Sequence, residues 1–388
     1  MAGKMDSLEV EDYVVRMRRH FHANPELSFK EFRTAGRIEE ELKSFGLEPK
    51  RTGETGVVAD ISGSSGGKTV AVRADIDALP VKEENDLDFA SGTEGVMHAC
   101  GHDSHIAMAL GAAKILAGKR DEFRGTVRML FQAAEESPPG GAVELIRGGA
   151  LKGVDYVIGQ HSISRYPAGT AAINYGPMMA NADQFTIKIK GIGGHGSAPQ
   201  EAVDALAIAC QYVVQAQTII SRRIPPFKSA VVTFGTMNSG YRYNIIAPYA
   251  ELTGTVRTFD EETRETVRHE LERMLEGISK STGCEYEFEY AKGYPALINN
   301  NDIALVIEDV AKEVLGEGSI LHPEPDMGGE DFAYYVKEVP GAFYFLGVRN
   351  DEKGITSPQH SPTYDVDESA MKYGTEILVR TSLKLLSS

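Results

Sequence analysis

Short apolar runs alternate with amphipathic stretches along the chain as far as Asn181. β-Branched runs at residues 56–61 and 69–76 predict two neighbouring strands, separated by the turn-rich segment SGSSGGK. The same patterns predict further strands at 125–132 and 154–160, and helices at 10–20, 32–45, 104–116 and 143–150. This alternation is typical of an α/β domain whose sheet is largely parallel and covered by helices on both faces.

The pattern changes after Asn181 and changes back after Tyr294. In between, the predicted elements are strands at 184–191, 229–237, 250–259 and 284–290 and helices at 202–220 and 261–281. Their order, β-α-β-β-α-β, is that of a split ferredoxin-like unit. We therefore expect a two-domain α/β protein. Residues 1–182 and 295–388 would form a discontinuous domain, and residues 183–294 a smaller inserted domain.

Composition excludes several classes of protein. The 388 residues include 40 Lys and Arg against 56 Asp and Glu, a net charge of -16, which argues against a duplex nucleic-acid partner. The three cysteines Cys100, Cys210 and Cys284 are too few and too scattered for a disulfide framework. The N-terminus lacks the apolar segment of a secretory signal, and no apolar run approaches about 18 residues. A cytoplasmic protein without a membrane partner is expected.

Polar side chains follow four of the predicted strands. They are Asp75 and Asp77 at the end of 69–76, Glu135 and Glu136 after 125–132, His161 after 154–160, and His360 in the loop after a further predicted strand at 341–348. Because the carboxyl ends of parallel strands meet at one edge of a sheet, these residues are expected to converge. The segment MHACGHDSH adds Cys100 and His102 where a loop enters a helix. The positive end of that helix is expected to lower the pKa of the Cys100 thiol.

Each of these residues has an ordinary explanation when it is taken alone. A histidine often caps a strand, paired glutamates are usually solvated, and a cysteine often packs as a small hydrophobic residue or acts as a nucleophile. Their convergence favours a metal site, and mixed Cys, His and Glu ligands suit zinc, with manganese, cobalt or nickel as alternatives. The adjacent side chains of Glu135 and Glu136 point in different directions. One can therefore bind metal while the other takes a proton from water.

The predicted inserted domain carries a second group of polar residues. His195, in the glycine-rich segment KGIGGHGSAP, could donate to a developing oxyanion, although an exposed turn histidine is the commoner case. Asn244 lies in YRYNIIAP, and Arg257 in GTVRTFD. The guanidinium of Arg257 could clamp a carboxylate, or it could form an ordinary surface ion pair.

Taken together, these motifs resemble those of the metal-dependent aminoacylase/carboxypeptidase amidohydrolases. That family includes hippurate hydrolases, indole-acetyl-amino-acid hydrolases, N-acetyl-diaminopimelate deacetylases and thermostable carboxypeptidases. The matching stretches are RRHFHANPELSFKE, AVRADIDALPVKE, GVMHACGHDSHIAM, LFQAAEE, GGHGSAP, GTVRTFD, MGGEDFAYY, FYFLGVRN and HSPTYDVDE. They cover nearly the whole chain. The chain departs from the usual family pattern at Ala133, where a proline is common, and at Ala247 and Pro248.

The resemblance implies a centre of two divalent metal ions, zinc or manganese, with Cys100 as the bridging ligand. It implies that the remaining ligands are His102, Glu136, His161 and His360. It also implies that Glu135 is the general base and that Asp77 orients a ligand.

For the inserted domain, the resemblance implies a role in dimerisation and as a lid, hence a homodimer or a dimer-based oligomer. His195 would reach the scissile carbonyl, and Asn244 and Arg257 would bind the carboxylate of the substrate. The expected activity is hydrolysis of N-acyl amino acids to a carboxylic acid and a free amino acid. The alternatives are a carboxypeptidase that trims short peptides and, more remotely, a non-catalytic binding protein on the same fold.

Overall fold

A computed structural model of the chain describes residues 7–388. In this range the α-helices are α1 (Ser7–Ala23), α2 (Phe32–Ser44), α3 (His102–Gly118), α4 (Gly141–Arg147), α5 (Ala205–Ala216), α6 (Thr218–Arg223), α7 (Glu261–Thr282), α8 (Asn301–Leu315), α9 (Ala333–Glu338) and α10 (Met371–Ser387). None of them is both long and apolar enough to cross a membrane.

The strands, in chain order, are β1 (Lys50–Thr52), β2 (Gly56–Ser62), β3 (Thr69–Asp75), β4 (Thr126–Gln132), β5 (Tyr156–Pro167), β6 (Ala171–Ala172), β7 (Gly176–Met179), β8 (Asp183–Lys190), β9 (Gly194–His195), β10 (Ala230–Ser239), β11 (Ile245–Ile246), β12 (Tyr249–Thr258), β13 (Glu285–Ala291), β14 (Leu297–Asn299), β15 (Ile320–Leu321) and β16 (Gly341–Arg349).

The chain divides into two compact units. The second unit comprises Met179–Leu297 and Asp326–Glu330, and the first comprises the remainder of the described residues. Each unit has its own cluster of buried hydrophobic side chains.

The first unit is built on an eight-stranded sheet of order β1-β2-β4-β3-β5-β16-β6-β15. The four central strands β4, β3, β5 and β16 are parallel. Helices α1, α3 and α10 pack together, and their apolar side chains share one core with alternate residues of β2, β3 and β4. This arrangement confirms the predicted α/β class with a largely parallel sheet.

The predicted pairing of the first two long strands is wrong. Strand β4 lies between them and pairs with β2 antiparallel and with β3 parallel. From Val70 to Asp75 every residue of β3 is buried, as in a central strand that is covered on both faces, whereas β2 alternates and lies near the sheet edge. The glycine-rich segment 62–68 is long enough to carry the chain past the position of β4.

Two differences between the predicted and the observed helices have a clear local cause. Helix α3 begins at His102 instead of Ser104, because Gly101 adopts φ +90° and starts the helix two residues earlier. The long helix predicted at 202–220 is two helices, α5 and α6. Helix α5 begins after Asp204, whose side chain accepts hydrogen bonds from the backbone N–H groups of Leu206 and Ala207.

The second unit contains a four-stranded antiparallel sheet of order β10-β12-β8-β13. Helices α5, α6 and α7 contact this sheet, and their apolar residues form its core. A separate two-stranded ribbon pairs β9 with β11 and sets His195 opposite Ile245. Asp183 at the start of β8 is buried and accepts hydrogen bonds from Arg264 and Tyr290, which ties α7 and β13 to this strand.

Candidate metal centre

The five predicted ligands of the first unit gather at the carboxyl edge of its central strands. Ligand atoms lie within 4.8 Å of one another in three overlapping groups: Cys100 with His102 and His161, Cys100 with Glu136 and His360, and His102 with Glu135 and Glu136. Two of these groups share Cys100, as a bridging ligand would. The structure thus brings together the predicted ligands and the predicted base.

The loop before α3 presents Cys100 and His102 from buried backbone. Gly101 is required between them: besides its positive φ, a Cβ atom there would lie 2.7 Å from the hydroxyl oxygen of Tyr364. The Sγ atom of Cys100 lies 3.3 Å from Nε2 of His161. His161 lies within β5, because this strand continues to Pro167 and does not end at residue 160 as predicted.

Hydrogen bonds fix the tautomers of two histidines. Nδ1 of His102 lies 3.0 Å from the backbone oxygen of Asp77 and 3.2 Å from its Oδ1, and Nδ1 of His161 lies 2.8 Å from the carbonyl oxygen of Ser162. Because these oxygens only accept, each neutral ring carries its proton on Nδ1. In each neutral ring Nε2 is then the unprotonated nitrogen, the one that a cation would bind, and Asp77 orients His102 as carboxylates orient metal-binding histidines.

Glu136 and His360 complete the cluster. Oε1 of Glu136 lies 3.2 Å from Nε2 of His360 and 4.0 Å from Nε2 of His102. Both histidine nitrogens would therefore be within reach of a cation held by the carboxylate of Glu136. His360 holds a backbone φ of +63°, and its N–H donates to the carbonyl oxygen of Ala99 at 2.8 Å, so the loop after β16 is anchored beside Cys100.

The cluster fits divalent metal ions. Nε2 of His102 and Oε1 of Glu136 are buried and form no hydrogen bond with the described residues, and a bound ion would satisfy both lone pairs. Although burial alone would lower it, Asp75 and Asp77 raise the pKa of His102 to about 10, so the site attracts positive charge. The donor set of sulfur, nitrogen and oxygen suits zinc and also accepts manganese.

The expected lowering of the Cys100 pKa is wrong for the metal-free protein. Burial, followed by the charges of Glu136 and Glu135, raises the pKa of this thiol well above its ordinary value. The helix end cannot offset burial and two carboxylates at this position. A metal ion reverses this balance, because a coordinating thiol is deprotonated outright.

His105 is near the cluster, but its ring is already occupied. Its Nδ1 lies 2.6 Å from Oδ1 of Asp75, and its Nε2 accepts the backbone N–H of Ser162 at 2.7 Å. Asp75 in turn accepts from Arg73, whose buried guanidinium also donates to Asp331. This network supports the floor of the site and leaves His105 without a lone pair for metal.

A second buried network holds the start of α3. Oδ2 of Asp103 accepts from Nε of Arg18 at 2.9 Å and lies 2.8 Å from Nδ1 of His22, whose Nε2 lies 2.9 Å from Oε1 of Glu83. Although burial alone would raise it, Arg18 and His22 hold the pKa of Asp103 far below its ordinary value. The sequence patterns did not identify these residues as part of the site, although Arg18 and His22 lie in the motif RRHFHANPELSFKE.

His22 predicts a pH dependence of stability. Burial alone would lower its pKa, but Asp103 and Glu83 raise it from 6.5 to about 9. Because the folded pKa is the higher one, this ion pair contributes fully below pH 6.5, and the contribution is lost as the pH rises through about 9. The stability difference between the wild type and His22→Gln should therefore narrow over this range. Urea denaturation at both ends of the range measures it.

His20→Gln is the matched control, because His20 lies on the same helix but its pKa is lowered, first by burial. Its stability difference from the wild type should not narrow between pH 6.5 and 9. A constant difference for His22→Gln would contradict a charged His22 in the folded protein.

In the second unit, the structure brings His195 and Asn244 together. The backbone N–H of Ser197 donates to Nδ1 of His195 at 3.1 Å, and the hydroxyl of Ser197 lies 2.7 Å from the same atom. Since an amide only donates, Nδ1 accepts and the neutral ring carries its proton on Nε2. The carbonyl oxygen of Asn244 accepts the N–H of Gly196 at 2.9 Å, which joins the two loops.

Arg257 lies near the end of β12, at the opposite end of this strand from Asn244. Its neighbour Val256 is opposite Asp183 at the start of β8, whereas Tyr249, at the Asn244 end of β12, is opposite Lys190. Seven residues of strand separate these positions, about 23 Å at roughly 3.3 Å per residue. The guanidinium donates to the carbonyl oxygen of Val256 at 3.1 Å and to the hydroxyl of Thr255. Burial lowers the pKa of Arg257.

Comparison with known proteins gives consistent results. Residues 71–384 match Peptidase family M20/M25/M40. The chain is 48% identical over 295 residues to the N-acyl-L-amino acid amidohydrolase of Geobacillus stearothermophilus, covering 76% of this chain and 80% of that protein. It is 41% identical to thermostable carboxypeptidase 2 of Saccharolobus solfataricus, covering 96% and 95% of the two chains.

A solved structure agrees with these sequence matches. The YXEP protein of Bacillus subtilis, described as a dinuclear metal binding peptidase from the M20 family, superposes with a TM-score of 0.86 at 35% identity and covers 98% of this chain and 99% of that one. The chain therefore belongs to Peptidase family M20/M25/M40 and is a hydrolytic enzyme of the amidohydrolase type.

Proposed function

We propose that this protein is a two-metal amidohydrolase that cleaves the amide bond of N-acyl amino acids. The observation that carries the proposal is the pair of ligand groups that share Cys100, with Glu135 beside them. Cys100 would bridge the ions, and the other ligands would be His102, Glu136, His161 and His360. Zinc or manganese is the expected metal, with cobalt and nickel as alternatives.

The chain's own side chains account for the proton transfers of amide hydrolysis. Bound divalent ions supply Lewis acidity, which lowers the pKa of water and polarises the substrate carbonyl. Glu135, 7% exposed and adjacent to a ligand, takes the proton of the attacking water. It then delivers that proton to the leaving nitrogen, and the products are a carboxylic acid and a free amino acid. Asp77 holds His102 in the tautomer that leaves Nε2 free.

His195 is the proposed hydrogen-bond donor to the oxyanion. The contacts of Ser197 support this role, because they leave the ring proton on Nε2, which is the atom available to a ligand. The donor would come from this chain or from a second copy. Asn244 and Arg257 are proposed to bind the carboxylate of the substrate.

Two substrate classes share this chemistry. Relatives named for N-acyl amino acids and relatives named as carboxypeptidases both match the chain. The experiment that separates the two classes is a panel of N-acetyl, N-benzoyl and carbobenzoxy amino acids compared with dipeptides. We expect the highest kcat/KM on an N-acyl amino acid. A preference for dipeptides would assign the carboxypeptidase activity, and no hydrolysis of either class by metal-loaded protein would reject the proposed function.

The second unit is proposed to be a ferredoxin-like dimerisation and lid domain. Its strand and helix order supports this, and so does its edge strand β10, which has one neighbour in the sheet. Large exposed hydrophobic side chains concentrate in this unit, among them Ile192, Val214, Phe227, Met237, Tyr241 and Tyr243. About 23 Å of strand β12, counted from Tyr249 to Val256, separates the end of the strand near Asn244 from the end near Arg257. If both residues bind one carboxylate, they come from different subunits.

A mutation that introduces a negative charge on edge strand β10 tests the proposed dimer. Met237 on β10 is 45% exposed, and Met237→Asp should give a monomer that keeps its metal but loses hydrolysis by about 100-fold or more. Sedimentation, metal analysis and kcat/KM measure the three quantities. Leu305→Asp, at a similarly exposed residue of α8 in the first unit, should leave all three unchanged. A fully active Met237→Asp monomer would contradict a contribution from the second subunit.

A further inference from the structure

The motif HFHANPELSFKE contains a buried carboxylate that none of the roles above uses. Glu31 is fully buried, and it forms no ion pair with the described residues. Its main chain starts α2, because its carbonyl oxygen accepts the N–H of Ala35 at 2.9 Å. Its side chain does not cap that helix. A glutamate at such a position would ordinarily be solvated, so its burial indicates a separate function for the carboxylate.

The carboxylate of Glu31 accepts three hydrogen bonds. Oε1 accepts the backbone N–H groups of Phe29 at 3.0 Å and Ala134 at 2.9 Å, and Oε2 accepts the hydroxyl of Thr55 at 2.7 Å. Phe29 and Ala134 have φ angles of +62° and +52°, and they are two of the three non-glycine residues with positive φ in the described range. Left-handed backbone is unfavourable for residues with a Cβ atom, because that atom crowds the following carbonyl oxygen. One carboxylate oxygen therefore binds the amides of two strained residues.

Ala134 directly precedes the proposed base. On the far side of Glu135, the N–H of Glu136 donates to Oδ2 of Asp77 at 3.0 Å. The carbonyl oxygen of Ala134 accepts the N–H of Gly141 at 3.3 Å. Gly141 packs so closely that a Cβ atom there would lie 2.0 Å from the carbonyl oxygen of Ala133. Glu135 thus lies on a turn whose amides are anchored on both sides.

From these contacts we infer that Glu31 is a positioning residue for catalysis: its carboxylate holds the left-handed Ala134 turn and thereby sets the orientation of Glu135. Nothing else in the described structure accepts the Ala134 N–H. Without Glu31, this buried amide would have no acceptor and the strained φ of Ala134 would relax. The inference rests on the role proposed for Glu135.

Three variants test the inference in the metal-loaded protein. Glu31→Ala removes the acceptor, and we expect kcat to fall by about 10- to 100-fold with KM and metal content unchanged, because a displacement of about 1 Å has that effect on a reacting group. Glu31→Gln keeps an oxygen for both amides and can donate to Thr55, so it should stay within about threefold of the wild type. The acidic limb of the kcat–pH profile should move only in Glu31→Ala.

Glu26→Ala is the matched control. Glu26 lies on the same segment as Glu31. Its carboxylate accepts hydrogen bonds from Thr34 and Arg33 but not from Ala134. This variant should lose stability without a change in kcat or in the pH profile. If Glu31→Ala does not fold, Glu31→Asp replaces it, because the shorter side chain withdraws from Ala134 and the same loss is expected.

A wild-type kcat in folded Glu31→Ala or Glu31→Asp would overturn the inference, as would an equal loss in Glu26→Ala. Failure of the proposed function looks different, because metal-loaded wild type would then be inactive on the whole substrate panel.

Discussion

Replacing Glu135 by Gln is expected to lower kcat by at least about 1,000-fold without loss of metal. The amide preserves the shape of the side chain but cannot take a proton from water. The predicted ligands are other residues, so the metal centre should remain loaded. Glu135 is buried and shares a cluster with His102 and Glu136, which places its carboxylate beside the ions that we propose.

The adjacent Glu136 provides the matched control for this experiment. Glu136→Gln removes a proposed ligand, so it should lower metal content and activity together, and added metal should partly restore activity. For Glu135→Gln, added metal should restore nothing. Elemental analysis with single-turnover kinetics separates the two cases. Near-normal turnover by Glu135→Gln would reject its assignment as the base.

Replacing Cys100 by Ala is expected to weaken metal binding by more than about 100-fold and to abolish hydrolysis at low metal concentration. This side chain belongs to two of the ligand groups, so its loss removes a donor from both proposed ions. The buried position leaves little room for water to replace the sulfur, since Cys100 is 9% exposed. Both ions should therefore be affected, and not only one of them.

Cys100→Asp is the informative companion variant. An aspartate side chain offers carboxylate oxygens as metal ligands in place of the sulfur, so this variant should retain more metal and more activity than Cys100→Ala. Cys210→Ser, at an exposed cysteine, should behave as the wild type. Titration of the metal-free proteins with zinc, followed by activity, measures the series. Full activity of Cys100→Ala without added metal would contradict a bridging role.

Local patterns predicted most elements of the fold because burial follows them closely. The β-branched runs of β2 and β3 identified two strands, and their lengths are nearly correct. Their order in the sheet could not be obtained this way, because insertion of β4 between them depends on contacts distant in sequence. The early start of α3 depends on the left-handed φ of Gly101, which the helical pattern does not contain.

The convergence of these candidate residues could be predicted because parallel strands align their carboxyl ends, which brings Asp77, Glu136 and His161 together without knowledge of side-chain contacts. The supporting residues could not be found in the same way. Glu31 and His22 lie on the N-terminal segment, and only the folded chain brings them to Ala134 and Asp103. The predicted lowering of the Cys100 pKa was wrong for a related reason. The sequence pattern indicated a helix end but not how deeply the thiol is buried.

The central claim is that hydrolysis depends on two metal ions held by the Cys100 cluster. The most direct measurement is the hydrolysis rate of chelator-treated protein on an N-acyl amino acid, titrated with zinc or manganese. The account predicts an inactive metal-free protein and a rate that rises until two ions are bound per chain. Full hydrolysis by metal-free protein, or binding of metal without any effect on the rate, would contradict it.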